Sequence, residues 1–171
     1  MSFWTQNSLE PKRAFRFRVK SSGTIGLGTD GLGYWWNANK IDKPSFIVNS
    51  NKYRLINHEI NVPGIISWSP ITAELADVGR TVDALMQQLG EIGYKPDNLT
   101  IDGGIGKGEG NGEGALFDLH IQQVNGNGEV IEDWTLQGAF ISEMKLSTLD
   151  YGSDDIVSIT LTITYDYALL N

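Results

Sequence analysis

The stretch near the end of this chain, DIVSITLTITYDY from Asp155 to Tyr167, most constrains what the sequence can fold into. Large apolar residues alternate with small hydroxyl residues along it, which predicts one long β-strand with a single face on a core. Exposed edge strands usually carry lysine, proline or glycine, and the hydroxyl face carries none of them. We therefore expect this strand to lie against a partner. Its apolar positions are Val157, Ile159, Leu161, Ile163 and Tyr165.

Alternation recurs along most of the chain and predicts a mainly β protein. The segment RAFRFRVK, Arg13 to Lys20, places Phe15, Phe17 and Val19 on one face of a strand. Its other face is basic, with Arg16, Arg18 and Lys20. The segment from Asn51 to Gly64 predicts a strand pair or extended arm that closes on a Pro63-Gly64 turn.

A helical period occurs once. Val78, Val82, Leu85, Met86 and Leu89 form the apolar stripe of an amphipathic helix over about residues 77–92. Asp77 is the expected N-cap of this helix. The predicted architecture is an antiparallel β-barrel or sandwich with one packed α-helix, in a single domain over residues 1–171.

Two glycine-rich segments interrupt the strands. Residues 21–33 are studded with glycine, and seven of the twelve residues at 103–114 are glycine. Because ordering glycine costs more backbone entropy than ordering other residues, both segments are predicted to be mobile loops. We expect them to become ordered in an assembly.

Charge is unevenly distributed along the sequence. Residues 1–60 hold nine Lys or Arg against four Asp or Glu, whereas residues 61–171 hold four against seventeen. The resulting charges, +5 and −13, sum to −8. Either the two parts pair within the fold, or they favour head-to-tail association of copies. A net acidic chain is a poor nucleic-acid binder, and no apolar stretch approaches the ~18 residues of a membrane span.

Adjacent Trp35 and Trp36 are the strongest candidates for an interface anchor. Neighbours in a regular strand point to opposite faces, so both cannot face the core. The outward-facing one is covered either by a loop or by another subunit.

The sequence contains no pattern that predicts catalysis or metal binding. Gly108 follows Lys107 where a phosphate-binding loop requires Ser or Thr. Neither His58 nor His120 has a second ligand at helical spacing. We therefore expect no enzyme activity and no cofactor.

The order of these features resembles the tail tube proteins of contractile-tailed bacteriophages, from about Arg13 to Tyr167. The resemblance rests on the aromatic and basic first strand, the Lys43-Pro44-Ser45 break, the arm ending at Val62-Pro63-Gly64, the strand bearing Trp68, the single helix, and the closing ITLTITYDY.

This resemblance implies a subunit that forms hexameric rings, which stack into a tube inside a sheath on a baseplate. DNA would pass through the lumen on ejection without specific binding, and the protein would reside in the virion tail after assembly in the host cytoplasm. A type VI-like injection tube and a tube-initiating baseplate protein are alternatives with the same fold. A monomeric β-barrel that binds a small ligand is the alternative from another class.

Within such an assembly, we expect Trp35 or Trp36 and the basic face of Arg16, Arg18 and Lys20 to lie at interfaces. The edge of the closing strand is expected to pair with a neighbouring subunit. Candidates for the lumen wall are the residues on polar strand faces: Asp118, Gln122, Glu132, Thr160, Thr162 and Thr164.

Overall fold

The closing alternating segment forms a central strand, Ser158–Thr164, with an antiparallel neighbour on each side. This arrangement comes from a computed structural model that describes residues 11–22, 33–91 and 116–171. The expectation that the edge of this strand pairs with another subunit is therefore wrong, because both of its edges are hydrogen-bonded within the chain. Tyr165 and Asp166 end it, and the chain then turns to a different partner.

Nine strands and one helix are present among the described residues. In chain order they are β1 Phe17–Ser22, β2 Ala38–Ile41, β3 Ser45–Leu55, β4 His58–Ser69, β5 Ile71–Ala76, α1 Thr81–Glu91, β6 Phe117–Val124, β7 Val130–Leu146, β8 Ser158–Thr164 and β9 Tyr167–Leu170.

The long strand β7 joins two half-sheets. Its first half pairs with β6 and β9, and β1 pairs with the other edge of β6. These four strands form half-sheet 1. Its second half pairs with β8, which continues through β5 to β2 and forms half-sheet 2. Gly138, with φ +62°, lies where the pairing changes from one half-sheet to the other. Positive φ is accessible to glycine without a steric penalty, so this residue permits the bend.

The core lies between the inner faces of the half-sheets. Ile159, Leu161 and Ile163 of β8 are fully buried, as their alternation predicts, and Leu119 and Leu136 pack with them from half-sheet 1. Among the described strands the hydrogen-bonded order starts at β1 and stops at β2, so no closed barrel is formed. The predicted mainly antiparallel β architecture with a single helix is confirmed.

Helix α1 begins at Thr81, four residues later than predicted. The backbone N–H of Asp77 donates to the carbonyl of Val157 at 2.9 Å, so Asp77 belongs to the end of half-sheet 2 and is not an N-cap. Gly79 has φ +63°, outside the helical region. Leu85 anchors the helix in the core.

Strands β3 and β4 form a separate two-stranded hairpin, here called the arm. Its turn is at Ile56 and Asn57, not at Pro63-Gly64 as predicted. Pro63 and Gly64 instead lie inside β4, opposite a shift in register between Val48 and Ser50. The irregularity explains why a proline can occupy the interior of this strand.

The predicted mobile loops are almost wholly outside the described residues. Of the first, Ser21 and Ser22 belong to β1, and the Ser21 N–H donates to the carbonyl of Gly33 at 2.9 Å. The loop at 103–114 is entirely outside. Their ordering in an assembly therefore stays a prediction.

Candidate self-association surface

The arm is the largest exposed apolar feature of the described chain. Every residue of β3 is exposed, and in β4 only Gly64, Trp68 and Ser69 are partly covered. An isolated two-stranded hairpin is marginally stable in water because it has no second layer to bury its apolar side chains. Its exposed large apolar residues are Phe46, Ile47, Val48, Tyr53, Leu55, Ile56, Ile60, Val62, Ile65 and Ile66.

The outer half of the arm has two chemically different faces. Tyr53 lies opposite Ile60 on one face, where Leu55 and Val62 are also found. The other face carries Lys52 and Arg54, both paired with Glu59, at 3.3 and 2.8 Å. An exposed apolar face next to a charged one is typical of a protein–protein contact surface. The arm was foreseen from the sequence, but its exposed apolar face was not, because the alternation over residues 52–55 does not tell whether the apolar face is buried or exposed.

Aromatic contacts connect the base of the arm to the core. The rings of Phe46 and Trp68 meet edge to face with centroids 5.3 Å apart, and the ring of Trp68 lies 6.0 Å from that of Tyr165. Burial raises the pKa of the Tyr165 hydroxyl above its ordinary value. The last apolar residue of the closing stretch is thus a link between the core and the arm.

A charged cluster holds the chain just before the arm begins. Glu132 accepts hydrogen bonds from Lys12, from Lys43 at 2.7 Å and from the indole Nε1 of Trp134 at 2.5 Å. Lys43, two residues before β3 begins, also donates to the Gln123 side chain at 2.8 Å. Burial opposes ionisation of Glu132, but the hydrogen bonds from Lys12, Lys43 and Trp134 prevail and lower its pKa to about 2.

The position of Glu132 differs from the polar strand face that the sequence prediction gave it. Its register partner in β6 is Gln123, which is buried on the core side of half-sheet 1. Glu132 therefore lies on the inner face of that half-sheet, and this position does not favour its assignment to a lumen wall. The sequence contained the information for this position, because Glu132, Trp134 and Leu136 are alternate residues of one strand and therefore share a face.

The other lumen candidates divide between two outer faces. Asp118 and Gln122 lie on half-sheet 1, and the Gln122 amide donates to Asp133 at 3.1 Å. Thr160, Thr162 and Thr164 lie on half-sheet 2, beside Thr72 and Glu74 of β5. The two sets belong to one seven-stranded sheet, in which β7 lies between β6 and β8. Their place in a lumen wall stays a prediction.

Arg18 and Lys20 of the predicted basic face lie on β1, whose neighbour is β6, and Arg16 directly precedes this strand. Arg18 donates to the carbonyl of Gly128 at 3.2 Å, and the Arg16 guanidinium lies against Gly126 in the same β6–β7 turn. Lys20 lies over the ring of Tyr34, with Nζ 5.7 Å from its centroid. These cations therefore have contacts within the chain, and their role at an interface stays a prediction.

The tryptophan pair divides as alternation requires. Trp35 is 3% exposed and donates its indole N–H to the Ser21 hydroxyl at 3.0 Å. Trp36 is 66% exposed, and its ring centroid is 5.4 Å from that of Tyr34. Trp36 is the member of the pair that faces outward.

Within residues 11–22, 33–91 and 116–171, no three His, Asp or Glu side chains are grouped to hold a metal ion. His120 Nδ1 instead lies 3.1 Å from the Thr135 hydroxyl. No helix in this part of the chain is long and apolar enough to cross a membrane.

Solved structures share this fold over nearly the full length. A chain of the sheath-tube complex of the PVC extracellular contractile injection system superposes with a TM-score of 0.70, at 16% identity, over 98% of both chains. A chain of the anti-feeding prophage baseplate, solved with six-fold symmetry, gives a TM-score of 0.69 at 13% identity, over 95% of this chain and 96% of that one. The protein has the fold of contractile-tail tube proteins.

A type six secretion system protein has the same fold at greater distance, with a TM-score of 0.54 and 12% identity over 92% of this chain and 83% of that one. No protein-family model and no curated protein matches the sequence. The resemblance to tube proteins inferred from the order of sequence features is thus confirmed by the fold.

Proposed function

We propose that this protein is a structural, non-enzymatic subunit of the inner tube of a contractile tail. Copies form rings, most simply of six, and the rings stack into a conduit inside a sheath. The observation that carries the proposal is the arm, whose two long strands are exposed on both faces and rich in large apolar residues. Such a surface is stable when another protein surface covers it.

The edges of half-sheet 2 support ring formation. One edge is β2 and the other is the second half of β7, since each has a strand partner on one side only within the described chain. Unpaired edges of this kind are templates for pairing with another chain. Because the two edges differ, the contact would be heterologous, and a heterologous contact repeated by rotation closes into a ring.

The proposal also names the kind of tail and its cargo. The resemblance of the sequence to bacteriophage tail tube proteins favours a phage tail that ejects DNA. The protein would then be part of the virion, with sheath and baseplate proteins as partners. An injection system that delivers other cargo is the second candidate. It is favoured by the neighbours, which come from an extracellular contractile injection system and an anti-feeding prophage.

The one cleft found among the described residues does not favour a monomeric ligand-binding barrel. The cleft beside the tryptophan pair has a volume of about 80 Å³, whereas small-molecule sites typically enclose at least ~300 Å³. A monomeric ligand-binding protein would also leave the exposed apolar arm without a function.

Electron microscopy of the purified protein over a range of concentrations tests the proposal. We expect rings at low concentration and stacked tubes at high concentration, with six-fold averages in end views. A uniformly dispersed monomer at the highest concentration would exclude the tube function. Co-sedimentation of the tubes with short double-stranded DNA would then indicate which cargo they admit.

A further inference from the structure

The arm and the β7–β8 connection leave half-sheet 2 at opposite ends. In the pairing of β5 with β8, Ile71 is opposite Ile163 and Ala76 is opposite Ser158. The arm enters β5 at its Ile71 end, after Ser69. The β7–β8 connection, residues 147–157, enters β8 at the Ser158 end. Two copies placed head to tail along these strands would therefore bring the arm of one toward the connection of the other.

The connection, here called the acidic loop, is an exposed surface with both apolar and negative groups. Leu149, Tyr151 and Ile156 are among the most exposed large apolar residues of the described chain. Asp150, Asp154 and Asp155 give it a charge of −3, with no lysine or arginine in residues 147–157. No ion pair among the described residues involves these aspartates.

Local hydrogen bonds give the acidic loop a defined shape. Asp150 Oδ1 accepts from the Gly152 N–H at 2.9 Å, and the Ser153 hydroxyl donates to Asp155 at 2.6 Å. These bonds fix the backbone while Tyr151 remains fully exposed. A preorganised apolar side chain loses less conformational freedom on binding, which favours contact with a partner.

The tip of the arm is complementary to this loop. Ile56, at the turn, is fully exposed and Leu55 is half exposed. Residues 45–69 contain Lys52 and Arg54 against the single acid Glu59, which gives +1. A positive, apolar tip and a negative, apolar loop attract each other, and like-charge repulsion disfavours tip-to-tip and loop-to-loop contacts.

We propose that the arm tip of one copy docks on the acidic loop of a second copy, with Ile56 against Tyr151 and the arm cations near the loop aspartates. This inference rests on the proposed self-assembly and identifies the partner of the arm. The contact is heterologous, so each copy uses its arm toward one neighbour and its loop toward another. A contact of this type propagates along the strand direction of half-sheet 2.

Engineered cysteines test the contact directly, because the chain contains no cysteine. Ile56→Cys and Tyr151→Cys are prepared as separate variants, assembled alone or as an equal mixture, and then oxidised. We expect a disulfide-linked pair of chains in the assembled mixture and none when either variant is assembled alone. A second mixture, of Ile56→Cys with Phe15→Cys, is the control, since Phe15 is exposed and precedes β1, away from the acidic loop.

The outcomes separate this inference from the proposed function. Tubes of the unmodified protein together with cross-links in the first mixture support both. Tubes without cross-links in that mixture, or with cross-links in Ile56→Cys alone, overturn the docking and leave the tube function standing. If the unmodified protein does not assemble at any concentration, both are overturned.

Charge reversal provides an independent measurement. Lys52→Glu with Arg54→Glu should raise the critical concentration for assembly by about tenfold or more, and Asp154→Lys with Asp155→Lys should do the same. Combining all four changes should restore assembly, because the attraction between arm and acidic loop returns with the positive and negative charges exchanged. Asp83→Lys, at an exposed position in the first turn of α1, is the control for net charge. Failure of the combined variant to recover would contradict the docking.

Discussion

A Cβ atom on Gly138 would lie 2.6 Å from Oδ2 of Asp166, closer than non-bonded atoms approach. Gly138 is the residue at which β7 passes from half-sheet 1 to half-sheet 2, and Asp166 lies between β8 and β9. The Asp166 N–H donates to the carbonyl of Gln137, the residue just before the bend, at 3.0 Å. The bend within β7 and the turn that follows β8 are therefore in direct contact.

Gly138→Ala should therefore destabilise the fold by about 1–2 kcal/mol, since it combines positive φ with a contact from which the Asp166 carboxylate has to rotate away. Gly128→Ala is a matched control because its φ is +83° and an added Cβ meets nothing within 4 Å. We expect that control to cost about 1 kcal/mol. Urea unfolding of both variants measures the difference, and equal losses would show that Asp166 imposes no constraint.

The two adjacent tryptophans should respond differently to truncation. Trp35→Ala removes a buried side chain and should destabilise the monomer by about 3–5 kcal/mol. Trp36→Ala should leave the melting temperature within a few degrees but weaken assembly, as expected of an interface anchor. Thermal unfolding and sedimentation of both variants test this. Normal assembly of Trp36→Ala would remove it from the interface.

The apolar face of the arm should matter for assembly and not for folding. Tyr53→Ser with Ile60→Ser removes two exposed, directly opposed side chains. We expect an unchanged core stability and a loss of tubes, because no described element outside the arm covers this pair. Thr72→Ser, on the outer face of half-sheet 2, serves as the control. A large fall in the unfolding free energy of the double variant would show that the arm stabilises the monomer.

Acid should weaken the cluster around Glu132. Its pKa is lowered from 4.5 to about 2, so its contribution to stability is complete above about pH 4.5 and is lost as the pH falls toward 2. Glu132→Gln should be less stable than the unmodified protein at pH 7, and this difference should shrink across that window. Unfolding free energies measured at several pH values test the prediction, and a constant difference from pH 7 to about pH 2 would contradict it.

The outer faces of the half-sheets can be distinguished in assembled tubes. We expect the threonine face of half-sheet 2 to line the lumen, because the proposed ring joins the edges of that half-sheet. Thr162→Lys should then make the tubes retain DNA, since a cationic lining binds phosphates. Gln122→Lys, on half-sheet 1, should not. Retention by the Gln122 variant instead would assign the lumen to half-sheet 1.

The sequence by itself determined which residues share a face once they lie in a strand. Phe15, predicted beside Phe17 and Val19, instead precedes β1 and is exposed. Alternation identified Ile159, Leu161 and Ile163 as core residues, and it required that one of Trp35 and Trp36 turn outward. These conclusions hold because side chains of a β-strand alternate whatever its neighbours are. The single helix followed from its own period in the same way.

Only the tertiary structure decided how the faces and edges are used. The closing strand is central because β5 and β7 pair with its two edges, and pairing between residues far apart in the chain leaves no mark in a local pattern. Strand alternation puts Glu132 on the face of Trp134 and Leu136, but only the folded chain brings Lys12 and Lys43 from distant segments to neutralise it there. Non-local contacts fix these outcomes, since each depends on which segments the folded chain brings together.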